Sequence, residues 1–497
     1  MPSFSPSWAS LAAYRVPDWF RDAKFGIFSH WGVQSVPACD GWYARLMYQQ
    51  HGAPWGDAYA HHLRHFGHPS RFGYKDLIPQ WRAERWDPGE LMATFQAAGA
   101  RYFVPVAVHH DNVDLYASSF QPWNSLRLGP KRDVVAAWKQ AAQARGLRFG
   151  VSSHCDRTWE WLSLAFRADT DGPWQGIPYD GRLTREDGRG QWWEGLDPAD
   201  LYTRPHSPAE PPDTAYCAGW LQRTLELIER YQPDLLYFDG PLPIVCAGEA
   251  CRQDRARLER YGLEVAAHFY NQNQLWHGGA LEAVLNVKNW EPGSVPDAGA
   301  VVLDIEKGVS GELKVQPWQT DTSLDPQWFY SASPLAFSSP ALIHTLVDIV
   351  SKNGNLLLNV SLTAEGELPA EQRSVLAEIG AWLSVHGEAI YGSRPYRIFG
   401  EGPTEVPGGD FSERNLPFTW RDVRYTAKPG RIYATVLGDP QGNPVRLPAL
   451  SSEPVARVSL LGAGPLPWRR EDSGLTVDLG RFSPGPAFTL RLDLAGA

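Results

Sequence analysis

Tyr231-Gln232-Pro233-Asp234-Leu235-Leu236-Tyr237-Phe238-Asp239-Gly240-Pro241 is the stretch on which the reading of the fold turns. Gln-Pro is a turn signal that ends a preceding helix. The apolar run Leu235 to Phe238 has the length of a strand buried on both faces. Asp239 closes that strand and Gly240-Pro241 stops it. Burying an unpaired charge is costly, and the carboxyl ends of strands in a parallel barrel are where chemistry sits. Asp239 therefore reads either as a catalytic carboxylate or as a cap on the next turn.

Upstream, the same pattern recurs. Phe25 to Ser29 reads as a strand ending at His30, Arg101 onward as a strand ending in His109, His110 and Asp111, and Arg148 to Ser153 as a strand ending at His154. Helical segments separate them at Pro88 to Ala98, Lys131 to Arg145 and Ala215 to Arg230, with a Gly-, Pro- and Trp-rich insertion near 169–212. This alternation predicts an α/β fold, a (β/α)8-like barrel. A lone strand-end histidine is usually structural, but four at the ends of three successive strands point to a site. Downstream, Ala280 to Lys288, Ala300 to Glu306 and Asn353 to Ser361 are expected as strands, and Pro317-Trp-Gln-Thr-Asp-Thr as a polar segment near a further strand end. Ser338 to Lys352 and Ala370 to His386 are expected as helices, the latter capped by Gly387. After Tyr396, short β-type runs alternate with Gly-Pro turns, and Pro429-Gly430 marks a hairpin. The expected division is a catalytic barrel over 1–395 and a C-terminal antiparallel β-sandwich over 396–497.

Composition narrows the function. A chain of 497 residues can hold a large barrel and a second module. The net charge of -10, without a basic run, argues against nucleic acid or an anionic membrane as partner. No apolar stretch is long enough to span a bilayer. Met1 to Ser10 lacks the features of a signal peptide, which leaves cytoplasmic and exported locations both open. The five scattered cysteines form no disulfide framework, and Cys246 and Cys251 read as free thiols. Oligomeric state is not readable. The 22 tryptophans suit a sugar cleft or a core equally.

The motifs resemble those of glycoside hydrolase family 29, the α-L-fucosidases. The matching stretches are Ala23-Lys-Phe-Gly-Ile-Phe-Ser-His-Trp-Gly, His109-His110-Asp111, Trp123-Asn-Ser, Gly129-Pro-Lys-Arg-Asp133, Pro233 to Gly240, Asn353 to Val360 and Gly387 to Pro395. The resemblance implies a retaining exo-glycosidase acting on terminal α-L-fucose of glycans, with a barrel and a C-terminal β-sandwich and no cofactor or metal. It assigns Asp239 as nucleophile and His30, His109, His110, Trp42 and Lys288 to the sugar. The chain departs from the pattern at Gly41, at Ser152-Ser-His154 and at Tyr237. His154 and Tyr237 are accordingly expected to bind substrate in place of the family's usual residues, and the insertion is expected to wall the leaving-group side.

The second carboxylate is less defined. Glu264, Glu282, Glu291, Asp304, Glu306 and Glu312 follow Asp239. Glu306 falls where the family places its general acid/base, with Asp304 as the alternative. An apolar surface should meet the C5 methyl of fucose, and Trp42 and Phe28 are candidates, Phe28 with a role in the core as well. Three other readings stand beside this one: an α-L-galactosidase, an inactive sugar-binding protein, and a zinc hydrolase using His30, His109, His110, Asp111 and Asp239. The last lacks His-x-His on a strand, and adjacent histidines face opposite sides of a regular strand.

Overall fold

The computed structural model describes residues 3–54, 56–207, 210–242, 253–288, 299–412, 416–480 and 485–496. Cys246, Cys251 and Glu291 lie outside these residues.

Eight parallel strands close into a barrel: β1 (Phe25–His30), β2 (Tyr102–Val108), β3 (Arg148–Ser153), β4 (Leu235–Phe238), β5 (Val284–Lys288), β6 (Val302–Glu306), β7 (Trp318–Ser323) and β8 (Gly354–Ser361). Each pairs with its sequence neighbour and β8 closes on β1. Local signals set the boundaries. The Asp213 carboxylate caps the helix Thr214–Tyr231 by accepting from Tyr216 N–H. That helix ends at Gln232 in the left-handed conformation (φ 43°), ahead of Pro233. Register then aligns the strand ends. Lys288 stands beside Asp304, and Glu306 beside Asp321.

The barrel interior is partly polar. The Tyr102 hydroxyl donates to Gln319 (2.9 Å), whose amide donates to Asp304 (2.8 Å). Room for the Tyr102 ring comes from Gly26, where a Cβ would stand 2.4 Å from it. Polar filling also corrects one expectation. Pro317-Trp-Gln-Thr-Asp-Thr does not flank a strand; Trp318–Ser323 is itself β7, buried at all six positions. Gly387 caps the helix Ala370–His386 as expected: it is right-handed (φ -60°), its N–H donates to Leu383 C=O, and the chain continues into a 3-10 turn. A glycine suits it because a Cβ would meet the Tyr391 ring at 2.9 Å.

The C-terminal part holds two antiparallel sheets. One contains β9 (Arg394–Glu401), β10 (Val423–Lys428), β11 (Arg431–Val436), β13 (Val455–Leu460), β14 (Gly464–Pro465) and β17 (Phe488–Leu494), in the order β14-β13-β17-β11-β10-β9. The other orders β12 (Val445–Leu447), β16 (Gly474–Val477) and β15 (Trp468–Glu471). Lys428 opposes Arg431 across the Pro429-Gly430 turn, with Gly430 at φ 72°. These sheets enclose their own core, including Tyr425, Ile432, Leu475 and Leu490. A buried ionic cluster joins them to the barrel. Asp348, on the helix Ser339–Ser351, accepts from Lys352 Nζ (2.7 Å) and from Arg424 Nε of β10 (2.6 Å).

The insertion folds back on the connection between β1 and β2. Asp180 accepts from the hydroxyls of Tyr48 (2.7 Å) and Tyr202 (2.6 Å), and Asp169 from Tyr59 (2.6 Å).

Candidate active site

A cavity of about 390 Å³ opens at the carboxyl end of the barrel. It is lined by residues at or just past six strand ends: His30, His109 with His110, His154, Asp239, Lys288 and Glu306. Trp42, Arg157, Asp321, Trp328 and Phe411 complete the wall. The structure thus brings together every expected site residue except Tyr237, which is fully buried and does not line the cavity. Its hydroxyl faces Asp321 (2.9 Å) and Asp304 (3.2 Å), beneath the floor. The inward-facing pleat position two residues before Asp239 puts it there.

The adjacent histidines reach one cavity because β2 is irregular. Its register with β3 shifts between Val106 and Val108, and the strand ends before His109. The two rings then lie 4.3 Å apart. Their hydrogen bonds define what they offer. Asn359 donates its amide N–H₂ to Ser323 Oγ (2.9 Å) and Trp328 C=O (2.8 Å), so its oxygen accepts from His30 Nδ1–H (2.9 Å). His30 Nε2 is left as an acceptor. The Gln34 amide oxygen accepts from Ala44 N–H (3.3 Å), so its nitrogen donates to His109 Nδ1 (2.9 Å). His109 Nε2 therefore carries the proton and is a donor. Burial holds both histidines well below their ordinary pKa, which keeps them neutral. One acceptor and one donor side by side suit the hydroxyls of a sugar.

Two sets of these groups have metal-like spacing. His30, His109 and His154, and His110, His154 and Asp239, each hold ligand atoms within 4.8 Å of one another. In the first set the His109 nitrogen facing the cavity bears a proton, whereas a metal needs its lone pair. In the second, His110 Nε2 already contacts Asp239 Oδ2 at 3.2 Å. Asp111, the remaining member of the zinc reading, is buried and accepts from the Tyr74 hydroxyl at 2.5 Å.

The centre is Lys288, whose side chain is 1% exposed. Its Nζ stands 3.2 Å from Asp239, 3.1 Å from Glu306 and 3.3 Å from Asp321. Burial alone would lower the Lys288 pKa, but Asp321, Glu306 and Asp239 outweigh it and hold the group well above its usual value. The two cavity carboxylates diverge. Burial would raise Asp239, yet Lys288 and its contacts to His110 and His154 pull it well below the usual range. Burial, aided by the charges of Asp239 and Asp321 and opposed by Lys288, lifts Glu306 to about 7. Paired titratable groups pushed apart in this way mark an ionised carboxylate and a protonated acid at neutral pH. His110 faces an acceptor at each ring nitrogen, His154 C=O at 2.6 Å and Asp239. Burial draws its pKa down to about 4, against the pull of the Asp239 carboxylate, which favours the charged ring.

The other candidates fall elsewhere. Asp304 is buried and does not line the cavity. Glu282 pairs with Arg148 (3.0 Å), Glu312 pairs with Lys314 (2.7 Å) on the surface, and Glu264 is exposed on the helix Arg255–Trp276. Phe28 is fully buried against the rings of His30 and Tyr237, so its role is core packing. None of the described residues of the insertion lines the cavity. Arg157, Asp321, Trp328 and Phe411 were not anticipated. Only Asp321 left a signal, as a carboxylate in the Trp-Gln-Thr-Asp-Thr run.

Comparison with known proteins agrees with this geometry. Residues 1–388 match the family model for α-L-fucosidase, and residues 417–493 match that for the α-L-fucosidase C-terminal domain. The chain is 28% identical to the tissue α-L-fucosidase of Rattus norvegicus over 98% of its length and 92% of that protein's. It is 27% identical to the human tissue α-L-fucosidase, covering 98% and 91%. A crystal structure of Thermotoga maritima α-fucosidase in complex with fucose superposes with a TM-score of 0.71 at 26% identity, covering 98% of this chain and all of that one. With the barrel, the paired carboxylates and both family regions in place, the chain belongs to the α-L-fucosidase family of glycoside hydrolases.

Proposed function

We propose that this protein hydrolyses terminal α-L-fucosides with retention of configuration, Asp239 acting as nucleophile and Glu306 as general acid/base. The observation that carries the reading is the single Lys288 nitrogen in contact with both carboxylates. The two contacting oxygens cannot be farther apart than those two contacts laid end to end. Two acids held on one cation stand close together, as the ~5–5.5 Å separation of a retaining pair requires.

In this mechanism Asp239 Oδ attacks the anomeric carbon as the glycosidic C–O bond breaks. Glu306 gives its proton to the departing oxygen. Water, deprotonated by the same Glu306, then attacks the fucosyl ester, releasing fucose and restoring Asp239. His30 and His109 orient hydroxyls, and Trp42 and Trp328 supply apolar surface for the C5 methyl. A pocket of this volume accepts one terminal sugar.

The test is turnover of an aryl α-L-fucoside without added metal, alongside D-glycosides. Release from the fucoside and little from D-sugars is expected. Asp239→Ala should lose on the order of a thousandfold or more in rate in a protein that still unfolds cooperatively. Cleavage of a D-glycoside and no L-fucoside would overturn the assignment.

A further inference from the structure

Among the described residues that line the cavity, Phe411 alone comes from beyond β8. It belongs to the connection between β9 and β10, and it lies between the two regions matched by the family models. Two features set it apart. Its side chain is a large apolar group left 62% exposed. Its backbone is left-handed (φ 56°), a conformation that costs a residue with a Cβ and that clusters at functional sites.

The connection is held against Glu306 itself. Phe411 N–H donates to Glu306 C=O (2.7 Å), and the Asp410 carboxylate accepts from Glu306 N–H (2.8 Å). Beyond them, Gly409 N–H donates to Val309 C=O (3.0 Å), and Ser412 Oγ accepts from Val309 N–H (3.2 Å). The backbone of Phe411 is therefore held on the strand end that carries Glu306, and its side chain lies in the cavity wall. A group protonated by Glu306 leaves past that ring.

We propose that Phe411 is the platform on which the leaving-group sugar stacks, making it a specificity-determining residue for substrates in which fucose is joined to a pyranose. The inference rests on the fucosidase reading above. A phenyl ring has no polar handle, so it offers a flat apolar face to the C–H face of a pyranose. It selects for a ring in the leaving group and is tolerant of hydroxyl stereochemistry.

The experiment compares two substrates that both need Glu306 as acid: an α-L-fucosyl-pyranose disaccharide and methyl α-L-fucoside, which has no leaving-group ring. Phe411→Gly removes the phenyl ring and fits the left-handed backbone; Phe411→Asn is a second variant without the aromatic ring that tolerates the same conformation. In both, the ratio of kcat/KM for the disaccharide to that for the methyl fucoside should fall about tenfold, chiefly through KM of the disaccharide. Phe411→Tyr should restore the ratio. The basic limb of the pH–rate profile should stay in place, as it would not if the loop acted by positioning Glu306. An unchanged ratio, or equal losses on both substrates, overturns the proposal. Wild-type enzyme that cleaves neither substrate removes the fucosidase reading, and this inference with it.

Discussion

The ammonium nitrogen of Lys288 stands 3.1 Å from Oε2 of Glu306; the lysine is buried and the glutamate partly so, facing the cavity. A bare carboxylate so placed would be held by the cation in its ionised form. Glu306 nevertheless sits at about 7, because burial and the charges of Asp239 and Asp321 outweigh the Lys288 contact. One cation shared among three acids keeps one of them ionised while another retains its proton.

The pH–rate profile should report this division. Glu306 must be protonated to act, so kcat/KM is fully present below about pH 7 and falls about tenfold per unit above it. Asp239 must be ionised and its pKa is depressed, so the acid limb should lie below the ~3.9 of an ordinary aspartate. Constant kcat/KM from pH 6 to 9 would contradict the role given to Glu306.

Replacing Lys288 by Met removes the cation that lowers both carboxylates. Asp239 then titrates higher, and the acid limb should move to higher pH. The loss in kcat/KM should be on the order of a hundredfold or more, as for other preorganised charges in water-poor sites. A variant of wild-type rate with an unmoved acid limb would show that Lys288 does not set the carboxylates.

For Glu306→Ala, the leaving group decides the outcome. Substrates with poor leaving groups need protonation and should lose most of their activity. An activated aryl fucoside should keep its first step, and azide should rescue turnover by replacing the base-activated water, giving an α-fucosyl azide with net retention. Equal loss on both substrate types without rescue would move the acid/base role to another residue.

Most of the site was legible where apolar β-type runs ended abruptly in a polar residue. Phe25 to Ser29 before His30, and Leu235 to Phe238 before Asp239, announce buried strands and their rim in one pattern. β7 was not legible because Gln319, Thr320, Asp321 and Thr322 are buried in a polar barrel layer, which a hydropathy pattern reads as surface. Tyr237 was misplaced for a related reason. Its position two before Asp239 points inward to Asp304 and Asp321, a partnership invisible without β6 and β7 beside it. Trp328 and Phe411 come from connections with no periodicity, so nothing local ties them to the cavity.

The join between barrel and C-terminal sheets makes a separate prediction. Asp348 is fully buried and holds both Lys352 and Arg424. Asp348→Ala leaves two buried cations without their acid and should cost about 3–5 kcal/mol in urea unfolding. A loss under ~1 kcal/mol would mean that the cluster is solvated in the folded protein.

The most direct measurement is covalent trapping. A 2-deoxy-2-fluoro-α-L-fucosyl fluoride should inactivate the enzyme with time, because the fluorine slows hydrolysis of the fucosyl ester more than its formation. Peptide mass spectrometry should place one fluorofucosyl group on Asp239. Label on Glu306 or any other residue, or turnover of the reagent by inversion with no ester formed, would contradict the assignment of Asp239 as the attacking carboxylate.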